Sequence, residues 1–324
     1  MYFSLTQQYT LHDEACVRYK GLLYLKGLDP DSREIGIARE EVSESVLAKT
    51  LLAERRPDGR VLLEPYDKWR GAHWVLSQLA DLGYAGGDDG LLAMRQQVYD
   101  WLFGDKHRKD IAKRVVDGRV HWHASMEGNA LYYLLQLDLN DERSDILVEK
   151  LLEWQWPDGG WNCDLKAKGE TSSFTETLWP LRGLALYARR TGDERAAGAA
   201  ARAAEVFLER GLFRRRRDGK PIKAEFTALH YPCYWHYDIL FALKVMHEAG
   251  FLADPRCKEA LDLLKAKQLE DGGYPAERKY YRVGRHGQGN DSLVDWGGTN
   301  KKKSNPFVSV EALGLLKIAG YALE

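Results

Sequence analysis

The sequence predicts an all-α protein built from repeated αα-hairpins, and three observations carry that expectation. Asp-Gly recurs at Asp58, Asp117, Asp158, Asp218 and Asp271, each time followed by a loop and then an apolar stretch with helical spacing. Those stretches cover residues 66–82, 124–137, 174–190, 234–249 and 307–319. Most of the turns also follow another helix-like run, over 43–54, 146–154, 196–210 and 255–268, so the repeating unit is helix, turn, loop, helix. Few segments sustain the two-residue alternation that a half-buried strand requires.

The unit from Trp154 to Asp193 is the best defined. Trp154, Trp156 and Trp161 flank Pro157-Asp158-Gly159-Gly160, a turn in which glycine takes positive φ without steric cost. A loop follows, and the next helix opens on Ser173-Phe174-Thr175-Glu176, the pattern of a capping box. Phe174, Leu178, Leu181, Ala185 and Ala188 keep helical spacing, and Gly192 supplies a stop. Pro180 lies inside the pattern and predicts a kink.

The 324 residues are expected to form one domain, with residues 1–40 as closing or capping helices, since terminal repeats are usually atypical. All ten Trp lie between Trp69 and Trp296, and Leu28-Asp29-Pro30-Asp31-Ser32 marks a stop and restart. Two long loops, 211–228 and 273–306, stand out as functional or disordered segments. Gly284-x-x-Gly287-x-Gly289 in the second has no preceding strand and is no dinucleotide fingerprint. A formal net charge of −1 removes any bulk electrostatic case for nucleic acid or an anionic membrane. The scattered cysteines, and the lack of a leader or membrane-length apolar run, predict a cytoplasmic chain with reduced thiols.

Gln155-Trp156-Pro157-Asp158-Gly159-Gly160-Trp161, echoed by Gln268-Leu269-Glu270-Asp271-Gly272-Gly273-Tyr274, resembles the repeat of the squalene cyclase and protein prenyltransferase β-subunit superfamily. The resemblance spans most of residues 40–320; three of the turns keep only the Asp-Gly. It implies a terpenoid cyclase-like (α/α) toroid, with inner helices around a central cavity. The Asp-x-Asp-Asp acid that starts the family's protonation cascades is not found here. Of the family's zinc-binding Asp-x-Cys pair only Cys233 is matched, with Tyr231 in place of the Asp. Ser304-Asn305-Pro306-Phe307 offers no histidine at the next inner helix. Neither a cofactor nor that metal is therefore expected. A second grouping, Cys163 and Asp164 with Cys233, His230 and His236, lacks compact ligand spacing.

In such a toroid the starts of the inner helices share one mouth. They supply Trp69, Arg70, His73 and Trp74; then His121, Trp122, His123, Glu127 and Asn129; then Thr175, Glu176 and Trp179; then the run from His230 to Asp238 with Tyr234, Trp235 and His236. The last long loop adds Asp295 and Trp296. Converging helix N-termini suit an anionic group, and aromatic walls suit an apolar chain, a carbocation or a sugar face. The leading expectation is an isoprenoid-directed enzyme in which Asp238 or Glu127 donates a proton and His236 orients that acid or takes the final proton. A carbohydrate-active barrel would instead pair two of Glu127, Glu176, Asp238 and Asp295 across a glycosidic bond. A non-catalytic toroid that binds lipid or protein is the third reading. Plain structural uses compete: Glu176 completes a capping box, Glu127 is a first-turn acid, His73 stacks on Trp69, and Asp295 is a solvated loop charge.

Overall fold

Each of the five predicted apolar stretches contains a helix in the computed structural model, which describes residues 4–165, 171–287 and 289–323. Four short helices come first: α1 (Leu5–Thr10), α2 (Ala15–Lys20, continued by a π-helical turn over Gly21–Lys26), α3 (Arg33–Ser43) and α4 (Val46–Leu51). Then follow α5 (Ala72–Leu82), α6 (Leu92–Leu102), α7 (Asp105–Ala112), α8 (Ser125–Gln136) and α9 (Glu142–Trp154). The chain continues through α10 (Phe174–Thr191), α11 (Glu194–Leu208), α12 (Ile239–Glu248), α13 (Lys258–Lys265) and α14 (Pro306–Ile318). The strands among the described residues are two-residue pieces, Val115–Val116 against Arg119–Val120 and Arg282–Val283 against Asp291–Ser292. The protein is all-α.

Burial sorts the helices into two kinds. α5, α8, α12 and α14 are buried on nearly every side. α9 buries only a stripe of Ser144, Leu147, Val148, Leu151 and Trp154, and α13 only Ala260, Leu261 and Leu264. A helix apolar all round belongs in the interior, and one with a single apolar stripe belongs outside it. Packing follows: α5 touches α8, α8 touches α10, α10 touches α12, α12 touches α14, and α14 touches α2. The helices α6, α9, α11 and α13 lie against α5, α8, α10 and α12 respectively. Buried apolar side chains from Tyr9 to Leu316 form one continuous cluster.

The backbones of α8 and α10 approach closely. A Cβ on Gly183 would sit 2.5 Å from the Gly128 carbonyl oxygen, and one on Gly128 would sit 2.3 Å from the Pro180 nitrogen. As expected, α10 is one helix from Phe174 to Thr191 with Pro180 inside it. The missing Pro180 N–H falls where the backbones touch, so α8 packing holds the helix together. The capping box is also absent: Ser173 is the N-cap but its side chain makes no cap hydrogen bond. Residues 166–170 of the loop expected before α10 lie outside the described residues.

The two best-matched turns make the same bonds. Trp156 N–H donates to Gly160 O (2.8 Å) as Leu269 N–H donates to Gly273 O (2.9 Å). Gln155 Nε2 reaches Gly159 O at 2.8 Å and Gln268 Nε2 reaches Gly272 O at 2.9 Å. Trp161 N–H then donates to Thr177 Oγ1, and Tyr274 N–H to Ser309 Oγ, tying each turn to the helix that follows. Gly159 and Gly272 both have positive φ, 99° and 79°. The long loop after Gly273 folds inward: Tyr274, Tyr281 and Trp296 are buried, and Asn305 caps α14 while donating to Trp296 O.

Candidate functional site

At the N-terminal ends of the inner helices, most of the predicted site residues serve packing or capping. Asp238 is the N-cap of α12: Oδ1 accepts from Phe241 N–H (2.8 Å) and Oδ2 from His230 N–H (2.9 Å). His230 Nδ1 lies 2.8 Å from the same Oδ2, though without hydrogen-bond alignment. Burial disfavours the charged imidazole, but the Asp238 carboxylate outweighs it and raises the His230 pKa above its ordinary value. A carboxylate holding two backbone donors is a cap, and its expected role as proton donor has no geometric support. Asp295 is exposed and accepts from Gly297 N–H within its own turn. Arg70 pairs with Glu54. His236 is half-buried, stacked on Tyr280 at 3.5 Å between centroids, and burial lowers its pKa to about 3.

The aromatic residues fill this end. Trp69 stacks on Tyr234 at 4.1 Å and meets Trp74 edge-on at 4.7 Å. Trp296 Nε1 donates to the Tyr234 hydroxyl, and Trp179 packs on Phe241. His73, buried beside Tyr133 and Asn129, is pushed down to about 3 by desolvation. Trp235 stays half-buried with Lys68 Nζ 5.3 Å over its ring. Packed faces of this kind stabilise a core.

Two acids here keep unusual company. Glu127 is fully buried, with Oε1 2.8 Å from His107 Nε2 and Oε2 without a partner. Glu176 Oε2 accepts from Ser125 N–H (3.2 Å) and Ser125 Oγ (2.7 Å), and its Oε1 lies 3.0 Å from His123 Nδ1. Cys163 joins this pair, so that one ligating atom from each of His123, Cys163 and Glu176 lies within 4.8 Å of the others. Burial, then the neighbouring Glu176 charge, pushes the Cys163 thiol up to about 12. Cys233 takes no part in this cluster and donates its S–H to His236 O.

An open cavity of about 760 Å³ lies toward the other end, among the C-terminal halves of the inner helices. At its floor is an ion network to which α2, α5, α10, α12 and α14 each contribute. Lys20 Nζ is 2.5 Å from Glu311 Oε1, and Lys244 Nζ is 2.7 Å from both Glu311 Oε1 and Asp81 Oδ1. Arg182 reaches Glu248 (2.5 Å) and Asp81 (3.4 Å), with its guanidinium 3.6 Å over the ring of Tyr132 from α8. Desolvation opposes the charged acids, yet Lys20 and Lys244 hold Asp81 and Glu311 below the usual carboxylate range. Arg39, Arg189 and Arg190 line the wall, and the cations in the lining outnumber the acids. Arg182 is buried, lines the cavity, and has no partner for Nη1.

No family model, curated protein or solved structure matches the chain. Among the described residues, no helix is long and apolar enough to cross a membrane. The ion network was absent from the sequence-derived candidates, although a signal existed. Asp81, Lys244 and Glu311 each interrupt an otherwise strongly apolar helix, Arg182 interrupts the apolar middle of α10, and such residues are almost never fully buried unless paired.

Proposed function

We propose that the inner helices close an (α/α) toroid and that the protein binds a small organic anion, phosphorylated or carboxylated, in the cationic basin at their C-terminal ends. The observation that carries this reading is Arg182: a buried guanidinium at the basin floor whose Nη1 amino group has no acceptor. A buried donor left without an acceptor costs about 1–3 kcal/mol, and an incoming anion removes that cost. Arg39 adds a second orphaned donor, Nε, on the basin wall. The toroid is supported by the order of helix packing and by five helices meeting in one ion network, with α8 adding Tyr132. Leu23, Leu28, Leu186 and Ile318 on the same wall favour an anion with an apolar tail, which keeps a prenyl diphosphate among the ligands to try. A sugar acid is the competing polar ligand.

Thermal unfolding with phosphate, diphosphate, citrate and a prenyl diphosphate, each against sodium chloride at matched ionic strength, tests the proposal. A ligand at about 100 times its Kd adds roughly 2.7 kcal/mol of stability. Arg189→Gln at the wall is expected to weaken the effect. If no anion stabilises beyond the chloride control, the basin is structural and the reading fails.

A further inference from the structure

We propose that His123, Cys163 and Glu176 form a zinc site at the N-terminal ends of α8 and α10, with its fourth coordination position open to solvent. Thiolate, imidazole and carboxylate are the three zinc-ligating side chains, and a sulfur ligand favours a borderline-soft ion over magnesium or calcium. Their ligating atoms already lie within 4.8 Å of one another. Around a tetrahedral ion with bonds of about 2.0–2.3 Å, ligand atoms sit roughly 3.4–3.8 Å apart. The set therefore needs to contract by at most about 1.0–1.4 Å to share one ion.

The surroundings are those of a prepared ligand set. Ser125 holds Glu176 Oε2 through both its N–H and its hydroxyl, leaving Oε1 turned to His123. That is the second-layer orientation which metal-binding carboxylates typically have. The loop carrying Cys163 is pinned on both sides: Arg114 Nη1 donates to the Cys163 carbonyl at 3.2 Å, and His121 Nδ1 to the Asp164 carbonyl at 2.5 Å. Glu176 is buried and takes no part in capping α10; its Oε2 serves the free N–H of Ser125 at the start of α8, and its Oε1 stays turned to His123. The His123 side chain is about one-third exposed at 33 %, which leaves a route for the ion and room for a water in the fourth position. Three protein ligands and one exchangeable position is the arrangement of a catalytic zinc. The site is separate from the basin, with Glu176 six residues, or roughly 9 Å, along α10 from Arg182.

The test uses the full chain stripped with a chelator, then titrated with zinc against a chromophoric competitor and, separately, with cobalt. The expected result is one ion per chain and a thiolate-to-cobalt charge-transfer band in the near ultraviolet. Cys163→Ser abolishes the band, Cys233→Ser retains it, and Ser125→Ala weakens zinc binding roughly tenfold. Circular dichroism of Cys163→Ser, a change at a half-buried side chain, establishes that lost binding is not lost folding. Absence of stoichiometric zinc in the wild-type chain overturns the proposal. So does a cobalt band that survives Cys163→Ser.

Discussion

Replacing Glu311 by Gln is expected to be among the most damaging single changes in this protein. The Glu311 carboxylate is buried and faces two ammonium groups, Lys20 at 2.5 Å and Lys244 at 2.7 Å. Neutralising it leaves both lysines to Asp81, itself 2.7 Å from Lys244 and 3.6 Å from Lys20. Removing one partner of a buried ion pair typically costs about 3–5 kcal/mol, because an uncompensated charge stays desolvated. For 324 residues the unfolding entropy makes that a fall in Tm of roughly 4–7 °C. Calorimetry and denaturant titration at pH 7 measure it directly. The pH dependence gives an independent check. The folded-state pKa values of Asp81 and Glu311 are depressed, so their contribution is full above the ordinary carboxylate range and is lost as pH falls through the lowered values. Glu311→Gln should therefore approach the wild type in stability as acid is added. A variant that unfolds within 1 °C of the wild type at pH 7 would refute the claim that this network holds the inner helices together.

Two further predictions concern the packed end and the helix crossing. Desolvation holds the His73 pKa at about 3, below its unfolded value, so stability is lost as pH falls from the ordinary histidine range toward 3. His73→Phe should flatten stability against pH between 6 and 4 by up to about 1.4 kcal/mol per pH unit, and an unchanged slope would show that His73 takes up its proton without cost. Gly183→Ala would place a Cβ 2.5 Å from the Gly128 carbonyl oxygen and 3.3 Å from Leu131 Cβ. Its expected cost is about 1–3 kcal/mol from overpacking, despite alanine's better helix propensity, and a stabilised variant in urea would contradict the α8–α10 crossing.

Local features of this chain were legible as sequence. The five apolar stretches each hold a helix, and their length and near-continuous apolar character marked them without knowing the partner. The Gln155 and Gln268 turns likewise depend on nearby groups: a glycine at positive φ and bonds spanning four residues. Helices α6 and α7 were missed; only Met94, Val98, Tyr99 and Leu102 are buried in the first and His107 in the second, which leaves a thin apolar signal.

The site depended on what sequence spacing cannot encode. Ser173 and Glu176 read as a capping box, but Ser125, 51 residues away, offers Glu176 two donors and takes it. Asp238 read as an acid facing a cavity, whereas it is the local N-cap of its own helix with His230 N–H as a second donor, a role its position before an apolar run could have signalled. Glu311 meets Lys20 across 291 residues and Lys244 across 67, so no local pattern could pair them. The sequence by itself determined most of the helices and the repeated turns, because those follow from local backbone hydrogen bonding and runs of apolar residues. Only the tertiary structure decided which charges share a buried centre, since electrostatic partners are set by distance in space and not by order along the chain.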